Sequence, residues 1–147
     1  MLYFDSTYLF RIYSVEPGHA AVKELLAQAN QPVAVAWHGQ AEIASILLRK
    51  RREGADSPEH LSSLAEQFQD DCQQLLIHFL PLTEAVMTRL ESVLAAAPAP
   101  TNIRAADALH LACAAEHGFT EVYSNDRHCL AAAPLFGLHG VNVIATL

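Results

Sequence analysis

Apolar residues along this chain come either in short unbroken runs or at helical spacing, and the two patterns alternate from one end to the other. Leu2 to Phe4 is a brief apolar run halted by Asp5, Ser6 and Thr7, as expected of a buried strand passing into a helix. Beyond Pro17 and Gly18, Val22, Leu25, Leu26 and Ala29 recur with a helical period that stops near Asn30 to Pro32. Val33 to Ala36 reads as a second strand. From His38 to Arg52, Ile43, Ile46 and Leu47 mark the next helix, closed by Gly54. Ser57 and Pro58 suit the N-cap and first position of a helix with Leu61, Leu64, Ala65, Phe68 and Cys72 on one face. Leu75 to Leu80 is a third strand, and Thr83 caps a helix bearing Val86, Leu90, Val93 and Leu94. A rigid Ala/Pro connection, Ala95 to Pro100, leads into a helix from about Ile103 to His117, ended by Gly118. A strand at Glu121 to Ser124, a short helix at Asp126 to Ala133 and a last strand at Val141 to Ile144 complete the pattern.

Strands that are short, apolar and separated by helices need cover on both faces. They predict an α/β fold, a three-layer α/β/α sandwich around a central, mainly parallel sheet. Ligands of such sheets sit at the carboxyl ends of the strands, so chemistry is to be sought just after each strand.

At 147 residues the chain has the size of one domain, and folding at that size buries about 70% of the unfolded surface. A hydrophobic fraction of 52% with 17% charged residues excludes the disordered and fibrous classes. Arg, Glu, Asp or Pro interrupts every apolar stretch before it reaches membrane-spanning length, and Met1 to Arg11 lacks a basic leader segment, so the expected location is the cytoplasm, away from membranes. Cys72, Cys113 and Cys129 are widely spaced without a C-x-x-C pair and read as reduced thiols. The eight histidines form no zinc-ligand pattern. A net charge of −7 opposes binding to a nucleic acid unless the basic residues are locally concentrated, and Arg49 to Arg52 is the one basic run.

Four carboxylates occupy the positions where chemistry is expected. Asp5 follows the first strand, Glu42 lies early in the helix after the second, Asp107 lies early in the Ile103 helix, and Asp126 follows the fourth strand. Each alone also suits a helix cap or an early helical turn. Asp107 is the hardest to place that way. It sits among Ala105, Ala106, Ala108, Leu109, Leu111, Ala112 and Cys113, and a carboxylate in so apolar a helix needs a partner. Carboxylates held together repel unless a proton or cation arrives, and an all-oxygen donor set suits magnesium or manganese. Ser6 and Ser124 are placed to orient such carboxylates, although cap and strand-end roles suit them equally.

The stretch RAADALHLACAAEHGFTEVYSNDRHCLAAA, Arg104 to Ala133, resembles the carboxy-terminal signature of PIN-domain proteins of the VapC toxin group. LYFDST, Leu2 to Thr7, resembles that family's opening strand with its first Asp, and Glu42 in QAEIASILLR falls at its helical acidic position. The resemblance spans nearly the whole chain. It implies a single PIN domain, a magnesium-dependent endoribonuclease cutting RNA, often a homodimer, silenced by a small antitoxin protein. Carried over by position, Asp5, Glu42, Asp107 and Asp126 would form the metal site and the catalytic centre. Trp37, near the mouth of that site, reads as a packed core residue, and His110 as a helix-packing one. The competing readings are a housekeeping RNA-processing nuclease of the same fold and a non-enzymatic, metal-regulated binding module. A phosphoreceiver is disfavoured because no lysine follows Lys50, and no G-x-x-x-x-G-K loop marks a nucleotide site.

Overall fold

The computed structural model describes residues 1–144. Strands β1 (Leu2–Tyr3), β2 (Val33–Ala36) and β3 (Ile77–Leu80) pair in parallel, with Leu2 opposite Val33 and Val33 opposite Ile77. Strands β4 (Glu121–Tyr123) and β5 (His139–Val141) form a second parallel pair. A single parallel bridge between Phe4 and Tyr123 joins the two, giving the spatial order β3-β2-β1-β4-β5. The helices are α1 (Ser6–Phe10), α2 (His19–Ala29), α3 (Gly39–Glu53), α4 (Pro58–Gln73), α5 (Glu84–Ala96), α6 (Ala105–Glu116) and α7 (Arg127–Ala132), the last running into a 3-10 turn, Ala133–Phe136.

Alternation along the strands sorts the core into two halves. Tyr3, Ala34, Ala36 and Val122 face one side, where Val86 of α5, Leu111 and Ala112 of α6 and Cys129 of α7 cover them. Phe4, Val33, Val35 and Tyr123 face the other, under Tyr8 and Leu9 of α1, Val22 of α2, Ile43 of α3 and Phe68 of α4. The expected three-layer sandwich with a parallel sheet is therefore the observed architecture. The expected caps also form: Ser57 Oγ accepts from the His60 amide at 3.1 Å, and Thr83 Oγ1 from that of Val86 at 3.3 Å.

Three expectations need correction. The third strand begins at Ile77 rather than Leu75, because Leu75 takes a left-handed conformation (φ +57°) that reverses the chain after α4. Its amide donates to Cys72 and that of Leu76 to Asp71, closing the helix end. The last strand is His139–Val141 rather than Val141 to Ile144. Past Val141 the chain leaves the sheet: the Val143 amide donates to Tyr8 Oη at 2.8 Å, and Ile144 packs where a Gly18 side chain would otherwise stand. Its apolar residues mark that packing, whereas β5 itself, His-Gly-Val, carries little apolar signal. Trp37 is not a core residue. It is 59% exposed, directly after β2, with its ring edge-on to Phe79 at a centroid distance of 6.3 Å. No helix among the described residues is long and apolar enough to cross a membrane, and all three cysteines are unpaired.

Candidate active site

In a sheet ordered β3-β2-β1-β4-β5, successive crossovers run one way from β1 and the other way from β4, so the crevice opens at the carboxyl ends of those two strands. Asp5 stands at the end of β1, and Ser124 and Asp126 stand just past β4. The Asp5 carboxylate is 3% exposed and caps α1. Its Oδ1 accepts from the Tyr8 amide at 2.7 Å and from Thr7 Oγ1 at 2.9 Å, while Oδ2 accepts from Ser124 Oγ. Both oxygens are thereby aimed, with lone pairs left over.

Ser124 Oγ also accepts the Asp126 amide at 3.0 Å, coupling the ends of β1 and β4. Asp126 caps α7, with Oδ1 accepting from the His128 and Cys129 amides at 2.7 and 3.0 Å. Burial works against its ionisation, but those N–H donors, with Arg104 and His128 nearby, hold the carboxyl below its ordinary range. Arg104 Nη2 lies 3.7 Å from Asp126 Oδ2.

Asp107 lies in the first turn of α6. Burial, then the negative charges of Asp126 and Asp5, raise its proton affinity above the ordinary carboxylate value, against the opposing pull of Arg104 and His110. Three carboxylates from β1, α6 and the turn after β4 thus repel one another across one crevice. Among the described residues their ligand atoms do not form a group within 4.8 Å of one another, and as an all-oxygen set they are of the kind whose repulsion a hard divalent cation would offset. The thiol of Cys129, beneath the cluster, is pushed up to about 12 by burial and the Asp5 charge, which leaves it inert.

Glu42 sits differently. It lies one turn into α3, and its Oε2 accepts from Ser6 Oγ and from His110 Nε2, the latter at 2.7 Å. Tyr3 Oη approaches His110 Nδ1 at 3.3 Å, and Ser6 Oγ lies 3.2 Å from His110 Nε2. His38 Nε2 is 3.6 Å from Glu42 Oε2 and donates to the Ala106 carbonyl at 3.0 Å. Burial opposes ionisation of Glu42, but His110, Ser6 and His38 outweigh it and lower the carboxyl below its ordinary value. Glu42 is joined to the aspartates through Ser6, the neighbour of Asp5, rather than sharing one close group with them.

His110 is 1% exposed, so it packs as expected, but it also carries polar partners that sequence reasoning did not foresee. No ligand motif could have announced them, since His38 and His110 are 72 residues apart. The available signal was the three-residue step from Asp107 to His110, which puts both on one face of α6.

A family model described as "PIN domain" matches residues 2–134. The chain belongs to the PIN domain family. Its solved structural relatives are distant in sequence and share the fold. FitAcB from Neisseria gonorrhoeae superposes with a TM-score of 0.75 at 18% identity, covering 97% of this chain and 98% of that one. VapBC2 from Rickettsia felis, bound to a DNA fragment from its promoter, gives 0.67 at 14% identity, with 97% and 98% covered. VapC20 of Mycobacterium tuberculosis, a sarcin-ricin-loop-cleaving toxin, gives 0.65 at 17%, with 90% and 95% covered. A search of curated proteins finds no match.

Proposed function

We propose that this PIN domain is a magnesium-dependent endoribonuclease and the toxin of a VapBC-type pair, acting in the cytoplasm as a homodimer and silenced by a small antitoxin. The observation that carries this reading is the placement of three carboxylates in a chain that matches the PIN domain model, Asp5 at the end of β1, Asp107 in the first turn of α6 and Asp126 at the cap of α7, with burial and the charges of Asp126 and Asp5 raising the proton affinity of Asp107. A cluster so arranged favours either a proton or a cation, and near neutral pH a divalent cation is the better counter-charge. Asp5, Asp107 and Asp126 would hold the ion, with Glu42 at the edge of the site, and manganese would substitute. The bound ion supplies Lewis acidity that activates water and offsets charge developing on the phosphodiester. The chain's own contribution is orientation: Ser124 and the amide of Tyr8 fix Asp5, and the first amides of α7 fix Asp126.

The net charge of −7 does not forbid an RNA substrate, because a cleft of about 230 Å³ beside Asp126 is lined by Arg11 and Arg49 with Thr7, Asn125 and Glu16, and the Glu16 charge is offset by its pairing with Lys50. Arg11 is held there by the Thr7 and Pro17 carbonyls, at 3.0 and 3.1 Å. Cations beside an acidic centre suit a phosphate backbone leading into it. For the partner, support comes from structural neighbours that are themselves toxin–antitoxin assemblies, among them a complex from Klebsiella pneumoniae.

The test is incubation of pooled transfer and ribosomal RNA with the protein, in magnesium and in chelator, beside Asp107→Asn. Cleavage is expected only from the unaltered protein with magnesium. Cutting that survives both chelator and Asp107→Asn overturns the assignment. Expression without an antitoxin should arrest growth, and harmless overexpression of a cleaving enzyme would instead identify a housekeeping nuclease.

A further inference from the structure

The chemistry described above gives no part to His110, although its ring is 1% exposed and meets polar groups from three other elements. We infer that His110 is a positioning residue: its Nε2–H group fixes the Glu42 carboxylate at the edge of the aspartate site and so sets the rate of cleavage without touching RNA. This role rests on the nuclease reading.

Glu42 projects from the first turn of α3, and a glutamate left to itself spreads its carboxylate over many rotamers. Two donors on other elements hold this one. Ser6 Oγ donates to Oε2 from α1, and His110 Nε2 stands 2.7 Å from the same oxygen on α6. An ionised carboxylate only accepts, so Nε2 carries the proton, in a bond of the short, charge-assisted kind. Both bonds fall on Oε2, which leaves Oε1 as the oxygen to act.

The donor is itself held. Tyr3 Oη of β1 lies 3.3 Å from His110 Nδ1, and the His38 ring lies 4.2 Å away, tied to the Ala106 carbonyl. A β-carbon at Gly39 would stand 3.2 Å from Ser6 Oγ and 3.8 Å from His110 Cε1, so the space beside the ring is closely filled. Burying an imidazole next to Leu111 and Ala112 is costly unless its nitrogens are used, and both are. The ring also rides one turn after Asp107 on α6, while Ser6 is the neighbour of Asp5. One side chain therefore ties together the elements that carry Asp5, Glu42 and Asp107.

The test compares His110→Gln, His110→Leu, Glu42→Gln and the double variant combining the last two, each verified as folded by far-ultraviolet circular dichroism and assayed well below its melting temperature. Single-turnover cleavage of the pooled transfer and ribosomal RNA is followed in magnesium at several protein concentrations, so that the limiting rate and the half-saturating concentration are read separately. Glutamine places an amide N–H as many bonds from the backbone as Nε2 and should keep the rate within about threefold, whereas leucine fills the space without donating and should slow it roughly tenfold or more, with half-saturation within about twofold. The double variant should be no slower than Glu42→Gln alone, because leucine acts only through Glu42. In magnesium-free protein with isotope-labelled imidazoles, the nuclear magnetic resonance signals that His110→Leu removes should show a proton on Nε2. A bare Nε2 overturns the proposal, since it has nothing to donate. Equal rates for a cutting parent and its leucine variant overturn it too, as do losses that multiply in the double variant. A parent that cuts nothing overturns the nuclease reading, and this role with it, even where the spectrum shows the proton in place.

Discussion

Replacing a helical glycine by alanine ordinarily stabilises a protein, by about 0.5–1 kcal/mol. Gly39 should do the opposite. It opens α3, and a β-carbon built there lies 2.7 Å from Val35 Cγ2, 3.2 Å from Ser6 Oγ and 3.8 Å from His110 Cε1. Val35 is fully buried in β2 and β-branched, so it has no free rotamer into which to retreat. Adding a carbon to such a packed site costs about 1–3 kcal/mol. Subtracting the helical gain, which is smallest at a first position, leaves a net loss of about 1–2 kcal/mol. At about 2–4 °C per kcal/mol for a chain of this size, the melting temperature falls by roughly 2–8 °C. The new methyl also presses on Ser6 Oγ, loosening its bond to Glu42. The assay is urea unfolding of both proteins, with midpoint and slope compared. A variant as stable as the parent, with an unchanged slope, would refute this account of how α3 seats against β2.

Three further outcomes follow from the same geometry. Because burial and the charges of Asp126 and Asp5 raise the folded-state pKa of Asp107, its ionisation weakens the fold. The penalty is absent below the ordinary carboxylate range, near about pH 4, and is complete once pH exceeds the raised value. Asp107→Asn should therefore be more stable than the parent near neutral pH in chelator, with the gap closing on acidification and reversing in magnesium. Thermal melts check this, and a variant less stable in chelator would sink it. Leu75, 65% exposed with φ +57°, pays a steric cost without burying much surface. Leu75→Gly should gain about 1 kcal/mol by denaturant unfolding, and a loss would mean that its side chain packs. Trp37→Ala should cost under about 1 kcal/mol in the same assay, against about 3–5 for a buried tryptophan.

The strand and helix order was legible because local signals agreed with the final packing. Ser57, Thr83 and Asp126 cap the helices they precede, and Val33–Ala36 is buried along its whole length, as its unbroken apolar run requires. Errors arose where an apolar residue served something other than its own strand. Leu75 reverses the chain, Ile144 packs on Gly18, and Trp37 stands at a rim. The places of the aspartates in the fold were readable because Asp5 and Asp126 cap short helices after strands and Asp107 lies in a first helical turn. The company Glu42 keeps was not, since contact with His110 depends on how α3 and α6 lie across β2, a tertiary fact with no local pattern.

The lone bridge from Phe4 to Tyr123 also sets a schedule for the ribosome. Asp5 takes its hydrogen bond from a serine 119 residues further along. During synthesis the first strand emerges and must wait roughly ten seconds, at about 5–20 residues per second, for the segment that completes the crevice. A message broken within that interval yields a chain that already holds Asp5, Glu42 and even Asp107 but no assembled centre. On the proposed reading, truncated products are therefore silent, and only chains made nearly to the end acquire the chemistry.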